Sequence, residues 1–366
     1  MKKRVIEFIL LTVFAVLFLS GCKKNVGTPE DNPVVEEDEE SVEPAKDYLY
    51  GYSCADLKDP FYMALKDAIG VQAEQNKGQF IVRDAGNDPV KQNEQLMEMI
   101  DKGADVVFLT ASDPDAVTPA LEALDKADIP VILLETQVKE RDLAKAFISS
   151  DNYNAGKVCG EDLKEKMPDG GKLVIVEDKA DQNLSEGISG FEEKIKNGGF
   201  EVVKRVDGAQ TDGMTKELNE ILSSGTKVEV IMCADDQMAE AVRATVKESG
   251  KNDILIYSIG GSPAAKAALL AQEGAMAGIG ARSPIIEGKI AVKTADAILD
   301  DGSYEEEVLI ETFFINKENV EIRNRWLAVR KETEYEKNRR KSASVRSGCK
   351  RKKSEFFCAG SDGKNV

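Results

Sequence analysis

Short apolar runs rich in β-branched residues alternate with amphipathic stretches along most of this chain. Runs of this kind are typical of strands that are buried on both faces, as they are in a parallel sheet. The first group consists of Tyr48–Ser53, Phe80–Arg83, Val106–Thr110 and Val131–Glu135. Because helical patterns separate these runs, the sequence predicts an α/β fold built on a doubly wound sheet.

A second group of strand-like runs follows the first and is large enough for a sheet of its own. Its members are Ala146–Ser149, Lys172–Val176, Glu201–Val206, Val228–Cys233, Ile254–Ile259 and Ala275–Ile279. Beyond them, Pro284–Leu299 is again helical and Val308–Phe314 is again strand-like. A body of about 275 residues is too long for one ordinary core, so we expect two lobes.

Three Asp-Pro pairs mark predicted helix starts, namely Asp59-Pro60, Asp88-Pro89 and Asp113-Pro114. The Asp side chain can accept hydrogen bonds from the free N–H groups of a first helical turn, and Pro is well tolerated at its first position. Each pair comes soon after a predicted strand. These loops are therefore expected at the carboxyl ends of the strands, where open α/β sheets bind their ligands.

Composition excludes several classes of function. The chain has a formal net charge of −17 and contains no histidine. A strongly acidic body argues against nucleic-acid binding, which requires clustered Lys and Arg. The absence of histidine excludes Ser-His-Asp and Cys-His nucleophilic catalysis. These exclusions leave no sign of an enzyme or of a cofactor, and we expect neither.

The six cysteines show no C-x-x-C spacing, so no metal site is predicted. Cys54, Cys159 and Cys233 each lie beside apolar or small residues. We interpret them as small buried side chains. A disulfide among the three is the alternative.

Asp59, Phe61 and Tyr62 place a carboxylate and two aromatic rings at a predicted strand-to-helix turn. Aromatic faces can cover the apolar face of a sugar ring, and carboxylates accept hydrogen bonds from neighbouring hydroxyl groups. The alternative is that both rings belong to the core. Consecutive helical residues point about 100° apart, so we expect at least one ring in a ligand cleft.

Glu135 and Thr136 follow a predicted strand, and Asp235 and Asp236 do so in the second group. Of the two Asp residues, one must cap the following helix and the other is free to face the cleft. A catalytic carboxylate pair is an alternative interpretation of the same two residues. For Glu135 the alternative is a solvated loop carboxylate.

Gly260 and Arg282 lie at the ends of two later strands. Glycine there permits a close backbone approach or a positive φ, but the nucleotide-binding glycine patterns are missing. Arg282 is the obvious cation at these strand ends, and an exposed surface arginine is the alternative. We expect Glu135→Ala and Arg282→Ala each to weaken ligand binding without unfolding the protein.

Several blocks, in order, resemble the type I periplasmic binding proteins of the ribose-type sugar-binding group over residues 47–322. They are Asp59-Pro60-Phe61-Tyr62, Asp113-Pro114-Asp115-Ala116-Val117, Ile129-Pro130-Val131-Ile132, Ser150-Asp151-Asn152, Ala234-Asp235-Asp236-Gln237-Met238-Ala239 and Gly261-Ser262-Pro263. The resemblance implies two Rossmann-like lobes that are joined by three crossings, near residues 150, 282 and 310, and close over a ligand. It also implies a monomer that delivers a sugar or sugar-like polar solute to an ABC permease with a cytoplasmic ATPase.

The resemblance places the family's ligand contacts on Asp59, Phe61, Tyr62, Glu135, Thr136, Gly187, Asp235, Gly260 and Arg282. Ribose-type members carry Asp-Arg at Glu135-Thr136, Arg at Gly187, Asn at Asp235, Asp at Gly260 and Gln at Arg282. A pocket built for one hydroxyl pattern rejects others, so ribose itself is not expected. Another sugar, a polyol or a non-sugar solute stays open. A receptor that feeds a sensor kinase or a chemotaxis partner is the alternative function.

The ends of the chain carry separate predictions. Residues 1–21 are typical of a secretory signal peptide, and Cys22 resembles the lipidated residue of a bacterial lipobox. The protein would then lie outside the cytoplasm, anchored to the membrane through Cys22; a transmembrane helix is the alternative. Residues 22–46 are expected to form an acidic disordered tether and residues 323–366 a basic disordered tail. The lobes are assigned to residues 47–150 plus 283–310 and 151–282 plus 311–322.

Overall fold

The computed structural model describes residues 47–271 and 276–321. The predictions for the signal peptide, Cys22, the acidic tether and the basic tail therefore lie outside the described residues. Within the described part, the chain forms two six-stranded sheets with helices packed against them. This architecture confirms the predicted α/β fold.

The first sheet is parallel throughout and has the strand order β11-β5-β4-β3-β1-β2. Its strands are β1 (Leu49–Cys54), β2 (Gln79–Asp84), β3 (Val106–Leu109), β4 (Val131–Leu134), β5 (Ala146–Ser150) and β11 (Glu307–Ile310). The helices of this half are α1 (Pro60–Gln75), α2 (Pro89–Asp101), α3 (Thr118–Lys126) and α9 (Pro284–Leu299).

The second sheet has the order β12-β10-β9-β8-β6-β7 and is parallel except for β12, which pairs antiparallel with β10. Its strands are β6 (Gly171–Glu177), β7 (Phe200–Asp207), β8 (Val230–Cys233), β9 (Leu255–Gly260), β10 (Met276–Ala281) and β12 (Phe313–Ile315). The helices of this half are α4 (Asn152–Lys166), α5 (Gln182–Ile195), α6 (Thr211–Ser223), α7 (Asp236–Glu248) and α8 (Pro263–Leu270).

Strand β3 shows why the central strands are apolar at every position. Val106 and Phe108 pack into the cluster that contains α1 and α9, whereas Val107 and Leu109 pack into the cluster that contains α2 and α3. Successive side chains of a strand point to opposite faces, and both faces of this sheet are covered by helices. A continuous apolar run therefore buries all of its side chains.

Two strand assignments from the sequence were wrong. The run Ala146–Ser149 was grouped with the second sheet, but β5 pairs with β4 and β11 in the first sheet. The run 308–314 was predicted as one strand, but it forms β11 in one sheet and β12 in the other. Apolar periodicity identifies a strand without specifying its neighbours, so periodicity alone could not reveal either error.

The Asp-Pro prediction is confirmed at two sites and wrong at the third. Asp59 and Asp88 cap α1 and α2, each of which begins at the following Pro. Asp113 instead accepts from the N–H groups of Asp115 and Ala116, and α3 begins only at Thr118. The Asp113 carboxylate stabilises a turn, an alternative that Asp side chains adopt as readily as a helix cap.

Within the described residues the chain passes between the two sheets three times, after β5, after β10 and after β11. Two of these crossings are held together by hydrogen bonds. The Asp151 N–H donates to the Ile310 carbonyl at 2.9 Å, and the Thr312 hydroxyl donates to the Asp151 carbonyl at 3.0 Å. None of the helices in the described part is long and apolar enough to span a membrane.

Helices α4 and α5 approach each other closely because glycines line their contact. A Cβ atom on Gly156 would overlap the backbone carbonyl of Gly187, and one on Gly190 would overlap that of Tyr153. Backbone atoms cannot move aside as a flexible side chain can. The separation between these two helices therefore depends on the absence of these Cβ atoms.

We expect Gly156→Ala to lower the free energy of unfolding by about 2 kcal/mol or more, because overpacking against backbone outweighs the gain in helix propensity. Gly213 is the matched control, since it is also helical but has no atom within 4 Å of an added Cβ. Gly213→Ala should be neutral or stabilising by up to about 1 kcal/mol. Chemical denaturation of both variants measures the difference, and equal stabilities would contradict this packing argument.

Candidate functional site

Three helix N-termini carry aspartates just after a strand, one in the first sheet and two in the second. Asp59 accepts from the Phe61 N–H at the start of α1, Asp181 from the Leu184 N–H at the start of α5, and Asp235 from the Met238 N–H at the start of α7. These helices follow β1, β6 and β8. The carboxyl ends of parallel strands are where open α/β sheets bind ligands, so the three carboxylates mark a candidate cleft.

Arg282 lies at the crossing between β10 and α9 and contacts residues of both halves. Its guanidinium carbon lies 4.2 Å from the centre of the Phe61 ring, and its Nη1 lies 3.5 Å from Oε2 of Glu135. Its backbone N–H donates to the Gly260 carbonyl at 2.8 Å. The side chain is only 9 % exposed, so the exposed-surface alternative is wrong.

Glu135 is held in a conformation that non-glycine residues rarely adopt. Its φ is +60°, and it is the central residue of a tight turn in which the Thr136 N–H donates to the Leu134 carbonyl at 2.6 Å. Its Oε1 accepts from the Ser150 N–H at 2.7 Å. Since Glu135 is 1 % exposed, the alternative of a solvated loop carboxylate is wrong.

Asp235 and Asp236 divide two tasks between them. Asp235 is the helix cap, and its Oδ1 makes that bond. Asp236 accepts from the Ser258 hydroxyl and from the N–H groups of Gly261 and Ser262, at 2.6 to 2.7 Å. Asp236 thus fixes the glycine loop after β9, where Gly260 has a φ of 152° and lies so close that a Cβ would contact the Asp236 carboxylate.

The remaining residues predicted to contact the ligand differ in how far they are buried. Phe61 and Tyr62 pack edge to face with ring centres 5.9 Å apart, Phe61 buried and Tyr62 partly buried. Thr136 is partly exposed in the turn beside Glu135. Gly187 of α5 is buried, and a Cβ on it would overlap the Ile259 side chain of β9. Glycine at this position therefore allows α5 to pack closely against β9.

The described residues also decide two other kinds of site, a disulfide and a metal centre. Cys54, Cys159 and Cys233 are free and buried, which confirms their interpretation as small buried side chains and rules out a disulfide among them. In residues 47–271 and 276–321, no group of three or more His, Cys, Asp or Glu side chains is arranged to hold a metal ion.

Residues 50–303 match the family model of the periplasmic binding protein domain, which covers more than half of the chain. The chain belongs to the periplasmic binding protein family. Among curated proteins, this periplasmic binding protein is 27 % identical to the ribose import binding protein RbsB of Salmonella typhimurium. That match spans 246 residues, 66 % of this chain and 82 % of the relative.

Two solved structures show how widely the fold is shared. A periplasmic solute binding protein of an ABC transporter from Actinobacillus succinogenes, with bound D-allose, has a TM-score of 0.70 at 20 % identity. That match covers 75 % of this chain and 99 % of the other. The fructose binding periplasmic domain of a hybrid two-component system also has a TM-score of 0.70 at 20 % identity, covering 79 % of this chain and 97 % of the other.

The three capping carboxylates of this periplasmic binding protein are electrostatically coupled. Desolvation by burial raises the pKa of Asp59, Asp181 and Asp235 in each case, and Arg282 lowers it. Asp181 also raises the pKa of Asp59, and Asp59 raises that of Asp235, which reaches about 6. Asp59 belongs to the first half and the other two to the second, so the coupling acts across the cleft.

Two residues of this site were missed in the sequence. Asp181 was missed because no Pro follows it, although an Asp between a strand and an amphipathic run is itself a capping signal. Glu287 was missed because it sits in the first turn of an apolar helix. It is fully buried, and neither of its carboxyl oxygens has a hydrogen-bond partner in good geometry. No pattern in the sequence indicates that a helical Glu is buried.

The charge state of Glu287 follows from its surroundings. Burial, followed by the charge of Glu135, raises the pKa of Glu287 well above its ordinary value, and Arg282 opposes the shift. Two carboxyl groups thus face one guanidinium, and the more deeply buried carboxyl is neutral at neutral pH.

We expect Glu287→Gln to leave the melting temperature at pH 4 nearly unchanged, because there the wild-type acid is largely neutral in both the folded and the unfolded chain. A raised pKa contributes stability that is lost as the pH rises from the unfolded-state pKa toward the folded-state pKa. The variant should therefore become progressively more stable than the wild type as the pH rises above 4. Glu122→Gln, at an exposed position of α3, should show no such divergence. A Glu287→Gln variant that is strongly destabilised at pH 7 would show that Glu287 is ionised.

We expect Asp235→Asn to stabilise the ligand-free protein at pH 7 but much less at pH 4. The cap to Met238 survives, because Asn and Asp cap helices equally well. With a folded pKa of about 6, wild-type Asp235 favours the protonated form, so its stability falls as the pH rises from 4 to 6. The stabilisation by Asp235→Asn at pH 7 should exceed that at pH 4 by about 2 kcal/mol. Denaturant unfolding at both pH values measures it, with Asp88→Asn as the control cap.

Proposed function

We propose that this periplasmic binding protein captures a small polyhydroxylated solute, a sugar or a polyol, between its two halves and delivers it to an ABC importer. The observation that carries the proposal is the placement of Arg282 against both Phe61 and Glu135 at a crossing between the sheets. A solute bound there would contact both halves at once, as hinge closure requires.

The chemistry of the cleft suits hydroxyl groups. Asp59, Asp181 and Asp235 each use one oxygen as a helix cap and retain a second oxygen that can accept from a hydroxyl group. The Nε of Arg282 is buried without a hydrogen-bond partner, so it can donate to a solute oxygen. The partly buried Tyr62 ring adds an aromatic surface of the kind that covers a sugar ring.

The relatives support an importer rather than a sensor. The curated relative at 27 % identity is a ribose import binding protein, whereas the fructose-binding domain of a two-component system shares only the fold. The residues at the predicted contacts do not follow the ribose pattern, so the proposed solute is a differently substituted sugar or polyol.

The remaining parts of the proposal concern the whole chain. The lobes comprise residues 47–150 plus 283–310 and residues 151–282 plus 311–322, and they close over the solute as a monomer. A signal peptide directs the chain out of the cytoplasm, and lipidated Cys22 anchors it to the membrane through the acidic tether. The lobe boundaries and the monomer rest on the family resemblance, and the signal peptide, the anchor and the tether rest on the sequence of residues 1–46.

The pairing of Glu135 with Arg282 changes the result expected for the single variants Glu135→Ala and Arg282→Ala. Glu135 and Arg282 form a buried pair, and removing one partner leaves an uncompensated charge that costs about 3 to 5 kcal/mol. Each single Ala variant would therefore lose stability as well as binding. Replacing both partners with groups of similar volume avoids that cost.

We expect the double variant Glu135→Gln with Arg282→Met to remain folded and to lose binding at least tenfold. Binding is measured as the rise in melting temperature of the full chain with sugars and polyols, because a ligand that binds only the folded state raises it. The control is Arg83→Met with Glu98→Gln, a solvent-facing pair of the same residue types. A panel in which no sugar or polyol shifts the wild type would contradict the proposal.

A further inference from the structure

The charges around the cleft do not balance. Arg282 is paired with Glu135, and Lys266 is electrostatically coupled to Asp236. Among residues 47–271 and 276–321, no Lys or Arg forms an ion pair with Asp59, Asp181 or Asp235, and Arg282 acts on these three aspartates only at longer range. Glu287 adds no charge because it is neutral.

Helix capping alone does not require these charges. Ser262 caps α8 with a hydroxyl group, which accepts from the Ala265 N–H at 3.1 Å. Asn, Asp and Ser cap helices about equally well. Each helix N-terminus offsets roughly half a unit charge, so three ionised caps keep about half of their combined charge. The excess negative charge therefore needs another explanation than capping.

The three aspartates lie at the N-termini of helices that follow β1, β6 and β8, and the electrostatic coupling among them agrees with a shared cleft. Asp59, on α1, is coupled both to Asp181 on α5 and to Asp235 on α7. Asp235 is also faced by Asp236 on its own helix and by Arg282 at the crossing. Like charges that converge without a cation repel one another, and a cationic solute would relieve the repulsion.

Arg282 supplies a second and independent indication of a solute. Its side chain is nine-tenths buried, and its Nε has no hydrogen-bond partner. A buried donor of this kind requires an acceptor. The hydroxyl group of a polyhydroxylated solute is such an acceptor, whereas an ammonium group is not. The solute must therefore present hydroxyl groups toward Arg282 and positive charge elsewhere.

We propose that the captured solute is a polyhydroxylated amine, an amino sugar or an amino polyol, whose ammonium group lies among Asp59, Asp181 and Asp235 while its hydroxyl groups reach Arg282. This inference rests on the proposed function and specifies its substrate class. It separates this cleft from one that accepts neutral sugars, because the affinity depends on a charge that those sugars lack.

Matched pairs of compounds test the inference with the full chain at pH 7. The pairs are D-glucosamine with D-glucose, D-galactosamine with D-galactose, and N-methyl-D-glucamine with sorbitol, and N-acetyl-D-glucosamine serves as an uncharged amide. We expect at least one amine to bind, tenfold or more tighter than its neutral partner. Hydrogen bonds to charged groups contribute enough for that difference.

Variants separate charge from capping. Asp59→Asn, Asp181→Asn and Asp235→Asn keep a cap and remove a charge, so each should weaken amine binding about tenfold without lowering the melting temperature of the free protein. Asp88→Asn is the matched control, since Asp88 caps α2 and is exposed. It should leave amine binding unchanged.

Calorimetry at pH 6 in two buffers of different ionisation enthalpy shows whether binding releases protons or takes them up. A bound cation lowers the pKa of Asp235, so amine binding should release protons; a neutral solute that buries the carboxylate would take protons up. If neutral members bind as well as or better than the amines, the inference is overturned and the proposed function stands. If no member of any pair binds, both are overturned.

Discussion

The buried pairing of Arg282 with Glu135 is the interaction that joins the two halves at the cleft. Each partner is fixed to a different sheet, Glu135 through the Ser150 N–H of β5 and Arg282 through the Gly260 carbonyl of β9. Removing both charges from water is costly, and only close pairing offsets the cost. The pair therefore stabilises one relative placement of the two sheets. Binding of a solute that contacts either partner would depend on that placement.

The strained turn at Glu135 and the neutral Glu287 both follow from this pair. A non-glycine residue at φ +60° is unfavourable by roughly 1 to 2 kcal/mol, and here the turn points the side chain back to Ser150 and Arg282. Glu287 lies near Glu135, in the helix that begins just after Arg282. One guanidinium cannot balance two carboxylates in a buried site, so one of them keeps its proton.

Periodicity and capping chemistry were sufficient to predict the α/β architecture, because buried parallel strands require apolar residues on both faces and Asp-Pro marks helix starts. They could not assign β5 to its sheet or divide the run 308–314, because strand pairing depends on contacts distant in sequence. At the site, the positions of Arg282 and Glu135 followed from strand ends. The burial of Glu287 and the division of labour between Asp235 and Asp236 depend on three-dimensional packing, which periodicity does not encode.

The same aspartates serve the fold and the cleft, and this double use explains why their functional signal is weak in the sequence. A helix N-terminus stabilises an adjacent carboxylate, so a capping Asp can remain ionised where an isolated buried one would not. The helices α1, α5 and α7 each begin with such a cap, and together the three caps supply more negative charge than capping requires. The capping bonds hold each carboxylate in place, so little ordering of these side chains would oppose binding of the proposed solute. Capping would thus be the means by which the fold positions its charges for the proposed recognition.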